Sequence, residues 1–412
     1  MKLFSRLSLL SVVMISVLFS GVCFGMAMPD VQIKVQATDS VISVLRSHKL
    51  EARHVEDGYI YLDLTMEEVD KLRKAGVESE VVIADLEAIR QQEIVNSRDY
   101  HTYESLRTEM LNLEATYPNL ASFHVHGQSV DGRDIMTMKI SDNVTVDEPE
   151  VEIRWDGNIH GDEKSSMELA IYLINELLEN YGTDPQVTDI VDNREIWITP
   201  MVNPDGNTSH SRYNSNGVDL NRDYGYQWAA SGGSTAPYSQ PETQAILDLV
   251  LDNQFVIGVA GHSGTELFIY AWSYTDDQTY DEAMYDHVQE EFKLLTNYDG
   301  GQGAIVLYQN NGSSKEFDYG TGVGLGYTHE VSNDKTPPFS QIASYNLRNR
   351  PGALWIFEEV GNGIHGMITD SQTGLPINAM IEVVENGWPI HNDPVVGDYH
   401  RYILPGTYTL KV

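Results

Sequence analysis

The sequence predicts an α/β domain built on a largely parallel or mixed sheet, preceded by a small α+β unit and followed by an all-β module. Three observations predict it. Between about residues 99 and 360, short apolar strands alternate with amphipathic helices. From about 27 to 95 the same alternation recurs on a smaller scale. After Gly363 helical periodicity stops, and only strand-like runs split by turn residues remain. A chain of 412 residues with 41% apolar content is long enough for two or three folded units with real cores.

The first 26 residues carry Lys2 and Arg6, then an apolar stretch from Leu9 to Phe19, then small residues. This is the pattern of a secretory signal peptide, which implies a secreted, extracellular or periplasmic protein. The competing reading is an uncleaved N-terminal anchor. Cys23 is the one cysteine, and Val22 before it argues against lipidation. With Cys23 removed, any metal site must be built from His, Asp and Glu.

In residues 27–95, VQIKVQA reads as a strand, SVISVLRSHKL as a helix and GYIYLDL as an alternating strand. TMEEVDKLRKAG reads as a helix with Thr65 as N-cap and Gly76 as stop, and SEVVIAD as a further strand. The charged stretch LEAIRQQEIVNSRD then reads as a linker, with basic cleavage points at Arg90 and Arg98. The central unit, 99–360, opens with the helix YESLRTEMLNLEATYP. It continues through VEIRW, the helix SSMELAIYLINELLENY, and the strands REIWITPMV and QFVIGVAG. In such sheets ligands gather beyond the carboxyl ends of the strands. The tail, 363–412, is short for a β-sandwich and ends within a strand, so the natural chain is expected to continue.

A formal net charge of −35 makes nucleic acid and anionic membrane surfaces poor partners. It supports solubility and would weakly steer cationic peptides. A monomer is expected.

A catalytic zinc typically takes three protein ligands and leaves a position for water. Four stretches place Glu three residues after His: His48/Glu51, His101/Glu104, His160/Glu163 and His287/Glu290. Spacing does not separate them, but context does. His160/Glu163 alone follows an alternating strand and a glycine turn and precedes a long helix. His262 closes the apolar run FVIGVAG and is a candidate third ligand. Glu330, in GYTHEVS, is a candidate general base, and His329 would face the other side of that strand. Arg212 and Arg222 offer cationic forks suited to carboxylates.

These pieces, in the order GQSVDGRDIMTMKIS, HGDE, MVNPDG, SRYNSNGVDLNRD, GHSGTELFIY, LYQNNGSSKEFDYG and THEVSNDKTPPFSQI, resemble the M14 family of zinc metallocarboxypeptidases over nearly all of residues 99–345. The resemblance implies a mixed eight-stranded sheet flanked by helices, one zinc ion, and hydrolysis of the C-terminal peptide bond of peptides with a free C-terminus. It implies His160, Glu163 and His262 as zinc ligands, and Glu330 as general base and proton shuttle. Arg212 would hold the oxyanion, Asn221 and Arg222 the terminal carboxylate, and Tyr308 would close over it. Residues 27–95 resemble the pro-segments of zymogens, and 363–412 the start of a transthyretin-like or regulatory-like domain. Asp162 stands where some members have an arginine, which puts a carboxylate-binding role there in doubt.

In digestive members of the family the residue at the bottom of the side-chain pocket lies seven positions after the mobile tyrosine and fifteen before the catalytic glutamate, so the resemblance implies Lys315 for that place, by either count. A lysine there would favour a C-terminal Glu or Asp. A shift of one residue would put Glu316 there and reverse the preference, and a Lys315 reaching solvent would have none. Two other functions fit the same fold. One is a non-catalytic binding protein, against which the complete ligand set counts. The other is an amidase or endopeptidase on cell-wall peptides, against which Asn221 and Arg222 count.

Overall fold

The structure, a computed structural model, describes residues 29–50, 52–56 and 58–412. The signal-peptide segment and Cys23 lie outside the described residues. Among the described residues no helix is long and apolar enough to cross a membrane.

The N-terminal unit is a four-stranded antiparallel sheet in the order β2-β3-β1-β4. Its strands are β1 (Val31–Gln36), β2 (His54–Glu56), β3 (Tyr59–Leu64) and β4 (Glu80–Ile83). The alternation of β3 buries Ile60, Leu62 and Leu64 against Ile33, Val35 and Leu72. Thr65 caps the helix Met66–Lys74 and forms a reciprocal capping box with Glu68. The stretch expected to be a linker is instead a helix, Leu86–Asn96. It has no fully buried residue, so no apolar stripe announces it. Its support is polar: Asp85 caps it, and Glu87–Gln91 and Gln92–Asn96 pair one turn apart.

The central unit carries an eight-stranded mixed sheet in the order β11-β10-β12-β9-β7-β8-β6-β5. The strands are β5 (Ala121–Gln128), β6 (Asp134–Ile140), β7 (Val151–Asp156), β8 (Arg194–Thr199), β9 (Phe255–His262), β10 (Leu267–Tyr270), β11 (Asp299–Gln302) and β12 (Leu325–Glu330). The middle four, β12-β9-β7-β8, are parallel. All residues of β7 and β9 are buried, as expected for strands covered on both faces. The helices Lys164–Asn180, Glu282–Thr296 and Ile342–Glu359 contribute to the larger core. The helix Pro241–Asp252 contributes Ile246 and Leu249 to a second one with Trp197 and Phe255. Each fully buried Leu or Ile contributes about 1.5–3 kcal/mol.

The tail is all β. A two-stranded sheet pairs β13 (Ile364–Met367) with β16 (Asp398–Arg401). A three-stranded one orders β15 (Pro389–His391), β14 (Met380–Val383) and β17 (Leu410–Lys411). Buried Arg401 Nη2 docks the tail on the central unit through both oxygens of Asp281, at 2.6 and 2.7 Å. Trp388 stacks on Tyr319 beside this pair.

Candidate active site

The site grows from the carboxyl ends of β7, β9 and β12. After β7 the chain turns through Gly157 and Asn158, and Asn158 Nδ2 ties the His160 and Glu163 carbonyls at 2.8 and 3.2 Å. Between the two proposed ligands stands Gly161, where a Cβ would lie 1.9 Å from the Gly206 carbonyl carbon. Only glycine lets this turn seat on the helix Pro204–Ser209. Glu163 is the N-cap of the helix Lys164–Asn180, and His262 is the last residue of β9.

The fold brings His160, Glu163 and His262 together, all buried, with one ligand atom of each within 4.8 Å of the others. His160 Nδ1 lies 2.9 Å from Glu163 Oε1 and 3.1 Å from His262 Nδ1, and His262 Nδ1 lies 2.9 Å from Glu163 Oε2. Ligands about 2.0–2.1 Å from a tetrahedral zinc would stand roughly 3.3 Å apart. A buried two-imidazole, one-carboxylate donor set at this spacing fits zinc. Burial alone would raise Glu163, yet the two imidazoles bring it well below the ordinary carboxylate value. His262 is pushed down to about 4 by burial, which keeps the ring neutral as a metal ligand requires.

Asp219 organises the neighbourhood and was not singled out from sequence. It accepts from the Asn221 backbone N–H at 2.9 Å, which caps the short turn Leu220–Arg222. The same oxygen lies 3.0 Å from His160 Nε2, and the other accepts from Arg212 Nε at 2.9 Å. A carboxylate on the outer nitrogen of a metal-binding imidazole fixes its tautomer and ring plane. The one sequence signal was its place in the turn that carries Asn221 and Arg222. Arg212 Nη1 reaches His160 Nδ1 at 3.1 Å and Glu163 Oε1 at 3.4 Å.

Glu330 pairs with His262 across the parallel β9–β12 ladder, so the two side chains leave neighbouring strands, about 4.8 Å apart, on the same face. Burial and the Glu163 carboxylate push its acid form up. His329 does face away, buried among Trp155, Phe268 and Tyr298. Asn221 Nδ2 lies 3.2 Å from His262 Nε2, and its Oδ1 accepts from Ser314 N at 2.9 Å. Arg222 Nη2 donates to the Tyr308 hydroxyl at 3.0 Å. Lys315 is 3% exposed and lines the cavity, so it does not reach solvent. Glu316 is turned away, its carboxylate accepting from Ser273 N and the Ser313 hydroxyl.

The other His/Glu spacings do not build this chemistry. His101 is held by Glu109 at 2.8 Å and Glu168 at 3.0 Å, and these carboxylates keep it up at about 10. His287 sits against Trp355 and 3.6 Å from Glu359. Glu51 lies outside the described residues.

The cavity, about 270 Å³, is roofed by the N-terminal unit: Arg53, Asp63 and Glu93 line it together with His160 and Glu330. Asn96 Nδ2 donates to Thr336 O at 3.1 Å, and Tyr100 OH to Pro337 O at 2.6 Å. Asp162 accepts from Lys335 Nζ at 2.9 Å. These contacts span more than 100 residues and left no local sequence signal.

A buried two-histidine, one-glutamate cluster at the strand ends of a mixed α/β sheet defines a metallopeptidase-like centre. The chain belongs to the M14 zinc carboxypeptidase family, whose profile matches residues 106–352. It is 30% identical to human carboxypeptidase D over 347 residues, covering 76% of this chain and 25% of that one. It is 28% identical to carboxypeptidase SOL1 of Arabidopsis thaliana over 325 residues, covering 75% of this chain and 66% of that one. The chain thus spans about a quarter of the length of carboxypeptidase D. Its fold is similar to that of carboxypeptidase A from Helicoverpa armigera, with a TM-score of 0.70 at 18% identity, covering 80% of this chain and 97% of that one. The family implies one zinc ion in the catalytic domain.

Proposed function

We propose that the chain is a secreted zinc metallocarboxypeptidase that removes single residues from the C-terminus of peptides. One observation carries this reading. The His160–Glu163–His262 cluster shares a cavity with a base, Glu330, and with a carboxylate-binding set, Asn221, Arg222 and Tyr308. An endopeptidase has no need of that set.

The three cluster residues would hold the zinc. When bound, zinc supplies a Lewis acid that brings the pKa of water near neutrality and polarises a carbonyl. Asn221 and Arg222 bind the terminal carboxylate, with Tyr308 closing over it, and so fix which bond lies beside Glu330. Glu330 takes the proton of the attacking water and returns it to the leaving amine nitrogen. Arg212, steadied by Asp219, donates to the oxygen on which negative charge develops. Lys315, buried at the floor with no carboxylate among the described residues closer than Glu316 Oε2 at 3.9 Å, supports a preference for C-terminal Glu or Asp. Residues 27–95 act as a pro-segment over the cavity, 99–360 as the catalytic domain, and 363–412 as the start of a β-module.

The test is hydrolysis of a peptide and of its C-terminal amide, with and without a chelator. Loss of activity on the amide and in chelator is expected. Equal hydrolysis of the amide contradicts the exopeptidase reading and favours an amidase or endopeptidase.

A further inference from the structure

We infer that Asp162 and Lys335 form a second specificity site, which selects a basic side chain on the amino side of the scissile bond. The inference rests on the exopeptidase reading.

Asp162 follows Gly161 in the turn between His160 and Glu163 and lines the cavity. One of its carboxylate oxygens accepts from Lys335 Nζ at 2.9 Å. The other, Oδ1, is buried and has no hydrogen-bond partner among the described residues. A buried carboxylate oxygen left without a donor is costly, and a cationic donor from outside relieves it best.

The pair also sits at the right end of the cavity. The charged groups around Lys335 include Asp162, Glu163, Arg212 and Arg53, with Asp63 and Glu93 of the N-terminal unit. Those around Lys315 are Glu316, Arg222 and Glu330. Lys335 O accepts from Lys164 N and Ser263 Oγ, each at 3.0 Å, beside the ligands Glu163 and His262, whereas Lys315 follows Ser314, whose N–H donates to Asn221 Oδ1 at 2.9 Å. If the terminal residue fills the Lys315 side, the residues before it run toward Asp162.

The N-terminal unit presents a guanidinium to this end. Arg53 and Lys335 both line the cavity and approach Gly264, where an added Cβ would meet Lys335 Cγ at 3.7 Å and Arg53 Nη2 at 3.9 Å. Arg53 is held in place by Asp63 at 2.8 Å. A basic residue of the chain itself thus stands where a basic residue of a peptide would.

The experiment uses the full chain, nicked by trypsin that is then inhibited. The substrates are blocked peptides sharing one C-terminal residue, with Arg, Ala or Glu at each of the two positions before the scissile bond. Arg at one position should raise kcat/KM about tenfold over Ala, and Glu should lower it. Asp162→Asn should shrink the Arg-to-Ala ratio to within about twofold, and Lys335→Met, which unmasks the carboxylate, should widen it. General damage to the site would not move the ratio in opposite directions. Equal rates for Arg and Ala peptides in the parent chain overturn this inference alone, as does a ratio unchanged in Asp162→Asn. A chain that hydrolyses no peptide removes the exopeptidase reading and this inference with it.

Discussion

Glu330 and Asp219 are two carboxylates with different work at this site. Glu330 stands beside the cluster without joining it, so on the proposed reading Glu330→Gln should keep its zinc and lower kcat by about 10²–10⁴-fold. Steady-state kinetics beside metal analysis checks this, and loss of zinc from the variant would assign Glu330 to metal binding instead. Asp219 touches both His160 and Arg212. Asp219→Asn should weaken zinc affinity about 10–100-fold, read by competition with a chelator. The grouping of His160, Glu163 and His262 was legible in the sequence because β7 and a glycine turn lead into the first two and the apolar run of β9 ends on the third. Asp219 was not, because its importance comes from partners that the fold, not the chain order, brings to it.

The helix Ser314–Gly320 carries Lys315 into the cavity, and its place depends on glycine in β12. A Cβ at Gly326 would lie 2.1 Å from the Lys315 carbonyl oxygen. At the other end of the helix, buried Asp318 is bound to buried Arg154 of β7. Gly326→Ala should therefore cost about 1–3 kcal/mol by overpacking and, on the proposed preference for C-terminal Glu or Asp, blunt the discrimination between Glu and Phe peptides. Urea unfolding and a two-peptide comparison read the two effects, and a stable variant with altered discrimination would still place the helix in control of specificity. The strand β9 was legible because full burial leaves an unbroken apolar run, FVIGVAG, whereas β11 has the sequence DGGQ, without an apolar residue, and gave no strand signal. The helix Leu86–Asn96 was misread as a linker because caps and polar pairs hold it, and these carry no hydrophobic period.

Across the whole molecule, the N-terminal unit closes the cavity that the central unit opens, and one of its contacts is sensitive to pH. Burial pushes Glu93 up to about 7, with Lys335 and Arg53 opposing and Asp162 and Asp334 reinforcing. An acid whose pKa is higher when docked binds more protons in the docked form. Docking is therefore favoured at low pH and weakens as pH rises from about 4.5 to about 7, with no further change above. Thermal unfolding of the wild type beside Glu93→Gln checks the sign: the wild type should lose stability relative to the variant between pH 5 and pH 7. The roof was partly legible, since the strand and helix pattern of residues 27–95 was plain, while the cavity-lining roles of Arg53 and Glu93 exist only in the folded chain. Beneath these arguments lies the claim that two imidazoles and one carboxylate share a single zinc. The most direct measurement is zinc per chain in the wild type and in His262→Ala. The account predicts one zinc in the first and close to none in the second; full zinc in His262→Ala would contradict it.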